Sequence, residues 1–393
     1  MVGAGPSGLT AALALASAGF DTVLVAPRSP SDNRTTALLA SSIAALETLG
    51  VWDACRDQAA PLRTLRIVDD TGRLWRAPEA RFEADEIGLE AFAYNIPNRH
   101  LLVALEKAAA HATHLRIIED DAASVTVDDA RAVVRTLGGI EIEAKLIVGA
   151  DGRNSICRAA AGIEMRQQRY PQIALTFNVA HSRPHHDIST EFHTEAGPFT
   201  TVPLPGNRSS IVCVVNEYDA QQLHAMSGET LDLELERRCH SILGKIKAEP
   251  EHGRFPLALE TADRAAANRI ALVGEAAHRI PPIGAQGLNL GLRDAAAIAE
   301  AATDHSTDPG APDALEGYEN MRRADVLSRT LAVDLLNRSL LSGFLPIQGL
   351  RGIGMHVLNT IGPLRRAVMR EGVMPHSSQP RLMRGETLIS LRN

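Results

Sequence analysis

Residues 3–8 have the composition and spacing of a phosphate-binding turn. Gly3, Gly5 and Gly8 form a GxGxxG pattern. Glycines at this spacing allow a tight turn, a close approach of the backbone to a pyrophosphate, and tight packing of the following helix on a strand. A helix that begins near Pro6 would point its partly positive N-terminus at the phosphates. Taken alone, the pattern is as compatible with glycine-rich packing as with a dinucleotide site.

Two features around this turn depart from the dinucleotide-binding fingerprint. The fingerprint normally follows a buried strand of about five residues. Here only Met1 and Val2 precede it, and a start codon assigned too far downstream would explain the short strand. The fingerprint also includes an acidic residue about 20 positions further on, which holds a ribose hydroxyl. The apolar run at residues 22–25 is instead followed by the neutral Ala26.

Two later segments make the pattern more specific. Residues 149–152 read GADG and continue into Arg153-Asn154-Ser155. Residues 274–278 read GEAAH and lead into PPIGAQGLN at residues 281–289. One glycine-rich turn is common in proteins, whereas three such motifs in this order along one chain indicate a particular kind of nucleotide site.

The order of the three motifs resembles the flavin monooxygenases built like p-hydroxybenzoate hydroxylase. Other segments are similar to one branch of that group, the ubiquinone-biosynthesis FAD-dependent hydroxylase family. These segments are DNRTTAL at residues 32–38, GPF at residues 197–199 with Pro203-Leu204, and LNLGLRD at residues 288–294. The resemblance covers most of the chain and implies FAD as the cofactor.

The resemblance also assigns roles to individual residues. Asp151 and Gly152 would lie near the cofactor pyrophosphate, and Glu275, after Gly274, would accept a hydrogen bond from the ribityl chain. Glu replaces the family's usual Asp and reaches one methylene further, so the backbone or the cofactor has to shift to keep a bond of about 2.7–2.9 Å. Further cofactor contacts would come from Arg34, Arg99, Pro282, Gly287 and Asn289. No catalytic base is assigned, because in this family the cofactor carries the oxygen chemistry.

The reaction implied by the resemblance is hydroxylation of the aromatic ring of a polyprenylated phenol, with O2 as co-substrate. NAD(P)H or another external donor would supply electrons, since the chain has no second dinucleotide fingerprint. Two alternatives stay open. The short first strand, Ala26 and Glu275 would suit a catalytically silent flavoprotein-like scaffold subunit of a biosynthetic complex. A flavin hydroxylase acting on a soluble aromatic compound is the other.

An α/β scaffold is predicted to hold these motifs, because strand-like and helix-like segments alternate. Helical periodicity occurs at residues 33–49, 100–112, 231–246 and 288–302. Strand-like alternation or β-branched runs occur at residues 22–26, 62–77, 123–127, 132–136, 141–148, 173–180, 188–194, 199–204, 210–216 and 269–273. With the resemblance, this order predicts a Rossmann-like FAD-binding domain (1–72, 98–168 and 256–345), an inserted mixed β-sheet substrate domain (73–97 and 169–255) and a C-terminal helical region (346–393).

Composition excludes several other classes of protein. The net charge of −7 opposes binding to nucleic acid. The four cysteines are far apart, and the histidines at 181, 185 and 186 lie in a polar loop without metal-ligand spacing, so no metal site is predicted. No basic N-terminal leader precedes the Ala/Leu-rich stretch at residues 9–18, and no apolar run reaches the roughly 20 residues of a spanning helix. A cytoplasmic protein is expected, with association at the inner face of the membrane left open.

The C-terminal part is more apolar than a surface tail requires. Residues 331–345 and 347–364 are rich in aliphatic side chains, interrupted by Gly343, Pro346 and Gly352. They would form helices that cover the second domain, or a lipid-facing entry for a prenylated substrate. Basic residues that could assist at an anionic surface are Arg351, Arg365, Arg366 and Arg370.

Overall fold

The computed structural model describes residues 1–27, 32–72, 76–282, 284–341, 354, 356–357, 360–373 and 379–388. Its strands are β1 (Thr22–Ala26), β2 (Thr35–Leu39), β3 (Ala60–Leu62), β4 (Thr64–Asp69), β5 (Ala80–Glu83), β6 (Ala93–Pro97), β7 (Leu115–Glu119), β8 (Ala122–Val127), β9 (Ala132–Thr136), β10 (Glu141–Ala144), β11 (Ile147–Gly149), β12 (Met165–His181), β13 (Ile188–His193), β14 (Pro198–Leu204), β15 (Arg208–Val215), β16 (Ile246–Ala262), β17 (Ala266–Ala267), β18 (Ile270–Leu272) and β19 (His278–Arg279). Its α-helices are α1 (Pro6–Ser17), α2 (Ala40–Thr48), α3 (Asn98–His111), α4 (Ile156–Ala160), α5 (Glu217–Ala225), α6 (Gly228–Arg238), α7 (Gln286–Asp304), α8 (Pro312–Leu341) and α9 (Gly362–Val373).

The sheet that carries the first motif is built around the N-terminal segment. β1 pairs in parallel with β7, and β11 pairs in parallel with β18. Val2 joins these two pairs, because it forms parallel bridges to both Val25 and Gly149. The amide of Val2 donates to the Val148 carbonyl at 3.0 Å. The two residues before the first glycine therefore stand where the central strand of the sheet belongs.

Helices α1, α3 and α7 pack with this sheet in the largest apolar core of the described chain. α1 and α7 are rich in alanine, so they approach each other closely, and both are almost entirely buried. Their N-termini lie next to the first motif and after the third, respectively. A separate antiparallel sheet, in the order β10-β9-β8, matches the predicted strands that lead into Gly149.

The second large sheet has eight strands in the order β19-β16-β12-β15-β14-β13-β4-β5. It is mixed, as predicted, because β13 and β4 run parallel while its other pairs are antiparallel. Helices α5 and α6 cover one face. β4 belongs to this sheet although the predicted bounds place it in the first domain, and β6 pairs with β2 although the bounds place it in the second. The domain bounds themselves stay a prediction.

Three local predictions were wrong in detail. Residues 35–39 of the predicted helix at 33–49 are strand β2, because they pair along their whole length with β6. The helix predicted at 231–246 ends at Arg238, where His240 and Ser241 adopt φ values of 51° and 52° that no helix can continue. The hairpin predicted at 62–77 has its second strand later, in β5, with residues 73–75 outside the described residues.

The C-terminal region contains α8 and α9. The apolar stretch predicted at 331–345 is helical up to Leu341; most of residues 347–364, with Arg351, lies outside the described residues. Arg365 pairs with Glu86 at 2.7 Å, which leaves Arg366 and Arg370 as the exposed cations of α9. Among the described helices, none combines the length and apolar character needed to cross a bilayer.

Candidate cofactor site

The first motif is held against the second by contacts between backbones. Gly3 has φ +103°, and a Cβ atom there would lie 2.3 Å from the Ala150 carbonyl oxygen. A Cβ atom on Gly8 would lie 2.1 Å from the Gly3 carbonyl oxygen. Both positions therefore exclude any side chain. Gly5 differs, since a Cβ atom there would meet nothing within 4 Å among the described residues.

The space beside Gly5 lies at the start of α1. Gly5 is the N-cap of this helix, and Pro6 occupies its first turn. In the part of the chain that the structure describes, no side chain caps the helix, and its first turn has no acidic residue. The free amides and the partly positive helix end are thus available to an anion, with a glycine that lets it approach closely.

In the second motif, the side chain of Asp151 accepts hydrogen bonds from residues that follow it in the same chain. Ser155 Oγ donates to one of its oxygens at 2.6 Å, and the Cys157 amide donates to the other at 3.1 Å. Asp151 therefore holds the start of α4, while Gly152 makes the turn with φ +76°. Arg158 ties this motif to the third, because its guanidinium donates to the Ala276 carbonyl at 2.9 Å. Sequence reasoning assigned no role to Arg158.

The third motif meets the first at Ser7. A Cβ atom on Gly274 would lie 2.9 Å from Ser7 Oγ, and one on Gly291 of α7 would lie 2.2 Å from the same oxygen. The next residue, Glu275, is exposed. No hydrogen bond to its carboxylate is found within the part of the chain that the structure describes. The three motifs thus converge, with a carboxylate free to accept a hydrogen bond.

The loop before α7 has strained backbone. Ala285, the N-cap of α7, has φ +54°, a left-handed conformation that costs an alanine about 1–2 kcal/mol. Gln286 donates to the Gly284 carbonyl at 3.0 Å, but its buried Oε1 has no partner among the described residues. A Cβ atom on Gly287 would meet no described residue within 4 Å. Strain, an unpartnered polar atom and open space here are typical of a ligand site; Pro282, just before this loop, is exposed.

Asn289 acts as a clamp within the chain. It is fully buried, and its Oδ1 accepts hydrogen bonds from the Leu39 amide at 2.9 Å and Ser42 Oγ at 2.7 Å. Its Nδ2 donates to the Ala37 and Ala285 carbonyls at 2.8 and 2.6 Å. The side chain has no bonding capacity left, so a cofactor contact by Asn289 has to use its backbone or displace one of these bonds.

Arg34 lies on the loop before β2, and Arg99, at the start of α3, contacts the same loop. Arg34 forms a bidentate pair with Asp32 at 2.8 and 2.9 Å, and its guanidinium carbon lies 5.6 Å from the centre of the Phe255 ring. The hydrogen bonds that Arg34 donates to Asp32 raise the pKa of Arg34, and the charge of Glu275 adds to this. Arg99 donates to Asn33 Oδ1 at 3.0 Å. Because the charge of Glu275 acts on Arg34, the loop that carries Arg34 lies near the third motif.

These features fit FAD. Two helix N-termini without side-chain caps, two glycines with open space in front of them, an exposed carboxylate and a half-exposed guanidinium suit a dinucleotide that carries a pyrophosphate, a ribityl chain and a ring. Ser7, Arg158 and Asp294 were missed by sequence reasoning. Ser7 and Asp294 stood inside recognised motifs, but nothing in their spacing indicated what they contact.

Comparison with known proteins places this site in a family. The FAD binding domain family model matches residues 1–331. Ubiquinone hydroxylase UbiL of Rhodospirillum rubrum is 35% identical over an alignment that covers 99% of this chain and 92% of the relative. The 3-demethoxyubiquinol 3-hydroxylase of Escherichia coli is 29% identical, with 94% and 96% covered.

Solved structures agree on the fold. The p-nitrophenol 4-monooxygenase PnpA of Pseudomonas putida superposes with a TM-score of 0.77 at 20% identity, over 96% of this chain and 98% of that one. The predicted fold class and FAD as cofactor are confirmed. The chain belongs to the FAD-binding family and, within it, to the ubiquinone-biosynthesis branch of the FAD-dependent aromatic hydroxylases.

Proposed function

We propose that this chain hydroxylates the aromatic ring of a polyprenylated phenol on the route to ubiquinone. The observation that carries the proposal is the convergence of the three motifs: the second meets the first at Gly3, and the third meets the first at Ser7. Bound FAD supplies the redox chemistry that activates O2. The names of the Rhodospirillum and Escherichia relatives, a ubiquinone hydroxylase and a 3-demethoxyubiquinol 3-hydroxylase, support the choice of substrate class.

The chain's own residues would bind and orient the cofactor. The N-terminus of α1, with Gly5 beside it, would offset the pyrophosphate charge, and the half-exposed Arg34 would add a cation. The exposed Glu275 would accept a hydrogen bond from a ribityl hydroxyl. The start of α7, at Gly287, would place amides where negative charge develops on the ring during reduction.

A cluster of aliphatic side chains next to the third motif supports the proposal of a prenylated substrate. Ile280 and Leu290 pack with Val333 of α8 and Leu259 of β16. Ile280 lies just after His278, and Leu290 lies in α7 on the other side of the loop that would face the flavin ring. Aliphatic side chains on both sides of this loop would favour an isoprenoid chain over a polar substrate.

The first experiment is a visible absorption spectrum of the purified chain before and after FAD is added, followed by turnover assays. Bound flavin together with O2-dependent hydroxylation of a short-chain prenylated phenol would support the proposal. NADPH, NADH and a reduced ferredoxin would be compared as electron donors. Turnover of p-hydroxybenzoate but of no prenylated phenol would favour the soluble-substrate alternative, and no bound flavin would favour the scaffold.

We also propose that α8 and α9 dock the protein on a membrane surface, where its substrate would reside. Leu327, Leu331 and Leu335 recur every four residues on α8 and are 56%, 52% and 66% exposed. α9 exposes Leu364 and Val368. An exposed aliphatic stripe of this kind suits the boundary between lipid headgroups and acyl chains.

The membrane proposal is tested by co-sedimentation with vesicles of phosphatidylglycerol or of phosphatidylcholine. A variant with serine at all three leucines of the α8 stripe should lose binding, and binding should be weaker to the neutral vesicles because of Arg366 and Arg370. Leu233→Ser is the matched control, since Leu233 is 58% exposed on α6. Equal binding by the triple variant and the wild-type chain would contradict the proposal.

A further inference from the structure

One buried carboxylate, that of Asp294, joins both ends of the third motif. Its Oδ2 accepts a hydrogen bond from the Gly274 amide at 3.0 Å and contacts His278 Nε2 at 2.6 Å. Its Oδ1 accepts a hydrogen bond from Arg322 Nε at 2.7 Å. Asp294 is 1% exposed, so these partners replace water entirely.

The ionisation of this carboxylate defines the direction of the bonds. Burial raises the pKa of Asp294, but the charges and hydrogen bonds of His278 and Arg322 outweigh it and lower the pKa to about 2. The ionised carboxylate can only accept, so His278 Nε2 carries the proton and donates it. His278 Nδ1 is buried and has no other partner among the described residues, so Asp294 alone orients this ring.

These two bonds fix the backbone on both sides of Glu275. This residue stands between Gly274 and His278, and Asp294 binds both. The backbone on either side of Glu275 is therefore fixed to a rigid point of α7. Gly274 also packs on Ser7, so the same carboxylate holds the third motif against the first.

Charged side chains continue this connection into the C-terminal helices. Arg322 donates a second hydrogen bond to Asp325 at 2.8 Å, and Asp325 also accepts from Arg293 at 2.9 Å. Arg329, which lies 3.5 Å from Asp325, donates to the Glu371 carbonyl of α9 at 2.7 Å. Burying such a network is costly, and replacement of buried ion pairs by apolar residues often stabilises a protein. Stability alone therefore does not account for it.

We infer that Asp294 is a positioning residue of the cofactor site: by binding Gly274 and His278 it places the Glu275 carboxylate where a ribityl hydroxyl can donate to it. The inference rests on the proposed function. Asp294 is not a catalytic residue, because it lies beneath the motif and acts on the cofactor only through Glu275.

The test is a double-mutant cycle on FAD affinity, measured by quenching of flavin fluorescence. Glu275→Gln and Asp294→Asn are each expected to raise the Kd for FAD about tenfold. If Asp294 acts through Glu275, the double variant should be little worse than either single variant, well short of a hundredfold. Asp308→Asn is the control, since it breaks a carboxylate–arginine pair with Arg269 that lies outside the three motifs and should leave the Kd unchanged.

The outcomes separate the two proposals. A wild-type chain that binds no FAD would overturn the proposed function. A wild-type chain that binds FAD, together with an unchanged Kd in Asp294→Asn or with fully multiplicative effects, would overturn the inference alone. If Asp294→Asn does not fold, judged by circular dichroism, His278→Leu takes its place in the cycle, because leucine cannot donate to Asp294 and so removes one of the two bonds to the motif, while the buried carboxylate stays paired with Arg322.

Discussion

The first and third motifs lie side by side, yet different interactions hold them. In the first motif backbone meets backbone, with Gly3 and Gly8 pressed against carbonyl oxygens. The third motif is held by a side chain, because the Asp294 carboxylate forms hydrogen bonds with residues at both of its ends. A glycine contact is indifferent to pH and tolerates no added atom. A buried carboxylate, by contrast, responds to every change of charge around it.

The largest expected effect is the removal of the carboxylate. Asp294→Ala leaves His278 buried without its partner and Arg322 with Asp325 as its remaining carboxylate, and loss of one member of a buried charge pair costs about 3–5 kcal/mol. Urea unfolding of the cofactor-free chain would measure this loss. The control is Glu90→Ala, which breaks an exposed pair with Arg63 and should cost less than about 1 kcal/mol. Equal losses in the two variants would contradict a special role for the buried network.

Next in size is a single carbon added to the first motif. Gly3→Ala combines a positive φ with a clash against the Ala150 carbonyl, so it should destabilise the chain by about 2–4 kcal/mol at any pH. Urea unfolding at two pH values would check both parts of this prediction. A loss that varied with pH would remove the contrast between the two motifs.

Acid should weaken the third motif but not the glycine contacts of the first. The folded-state pKa of Asp294, about 2, lies below its usual value of 3.8, so its contribution is fully present above about pH 4 and is lost as the pH falls towards 2. The linked free energy is about 2 kcal/mol. Other carboxylates titrate in the same range, so the measurement is the difference in unfolding free energy between the wild-type chain and Asp294→Asn across this window. A difference that did not shrink on acidification would count against the assignment.

The smallest expected effect on the fold comes from Gly5. Gly5→Ala places its methyl group in open space at an N-cap with ordinary φ, so the cofactor-free chain should lose at most about 1 kcal/mol. FAD binding should weaken tenfold or more, because the methyl group occupies the approach to the α1 N-terminus. Thermal unfolding with and without FAD would separate the two effects; an unchanged FAD affinity would place the pyrophosphate elsewhere.

Much of the fold was predictable because its signals are local. Glycine spacing marked the start of α1, and alternation marked the antiparallel strands β8 to β10 and most of the second sheet. Residues 35–39 were mispredicted because a segment with helical periodicity becomes a strand when β6 lies alongside to pair with it. The partner, at Ala93–Pro97, is far away in the sequence, where local pattern carries no information.

For the site, the sequence determined which backbone positions carry no side chain, because the missing Cβ atom is a property of glycine itself. It thereby also indicated the class of cofactor that could approach these positions. The tertiary structure decided which polar side chains face the cofactor and which serve the chain. Asp151 and Asn289 turned inward to hold α4 and β2, while Glu275 stayed exposed. Asp294, a residue without a predicted role, became the point to which the third motif is fixed, because hydrogen bonding depends on neighbours that only folding brings together.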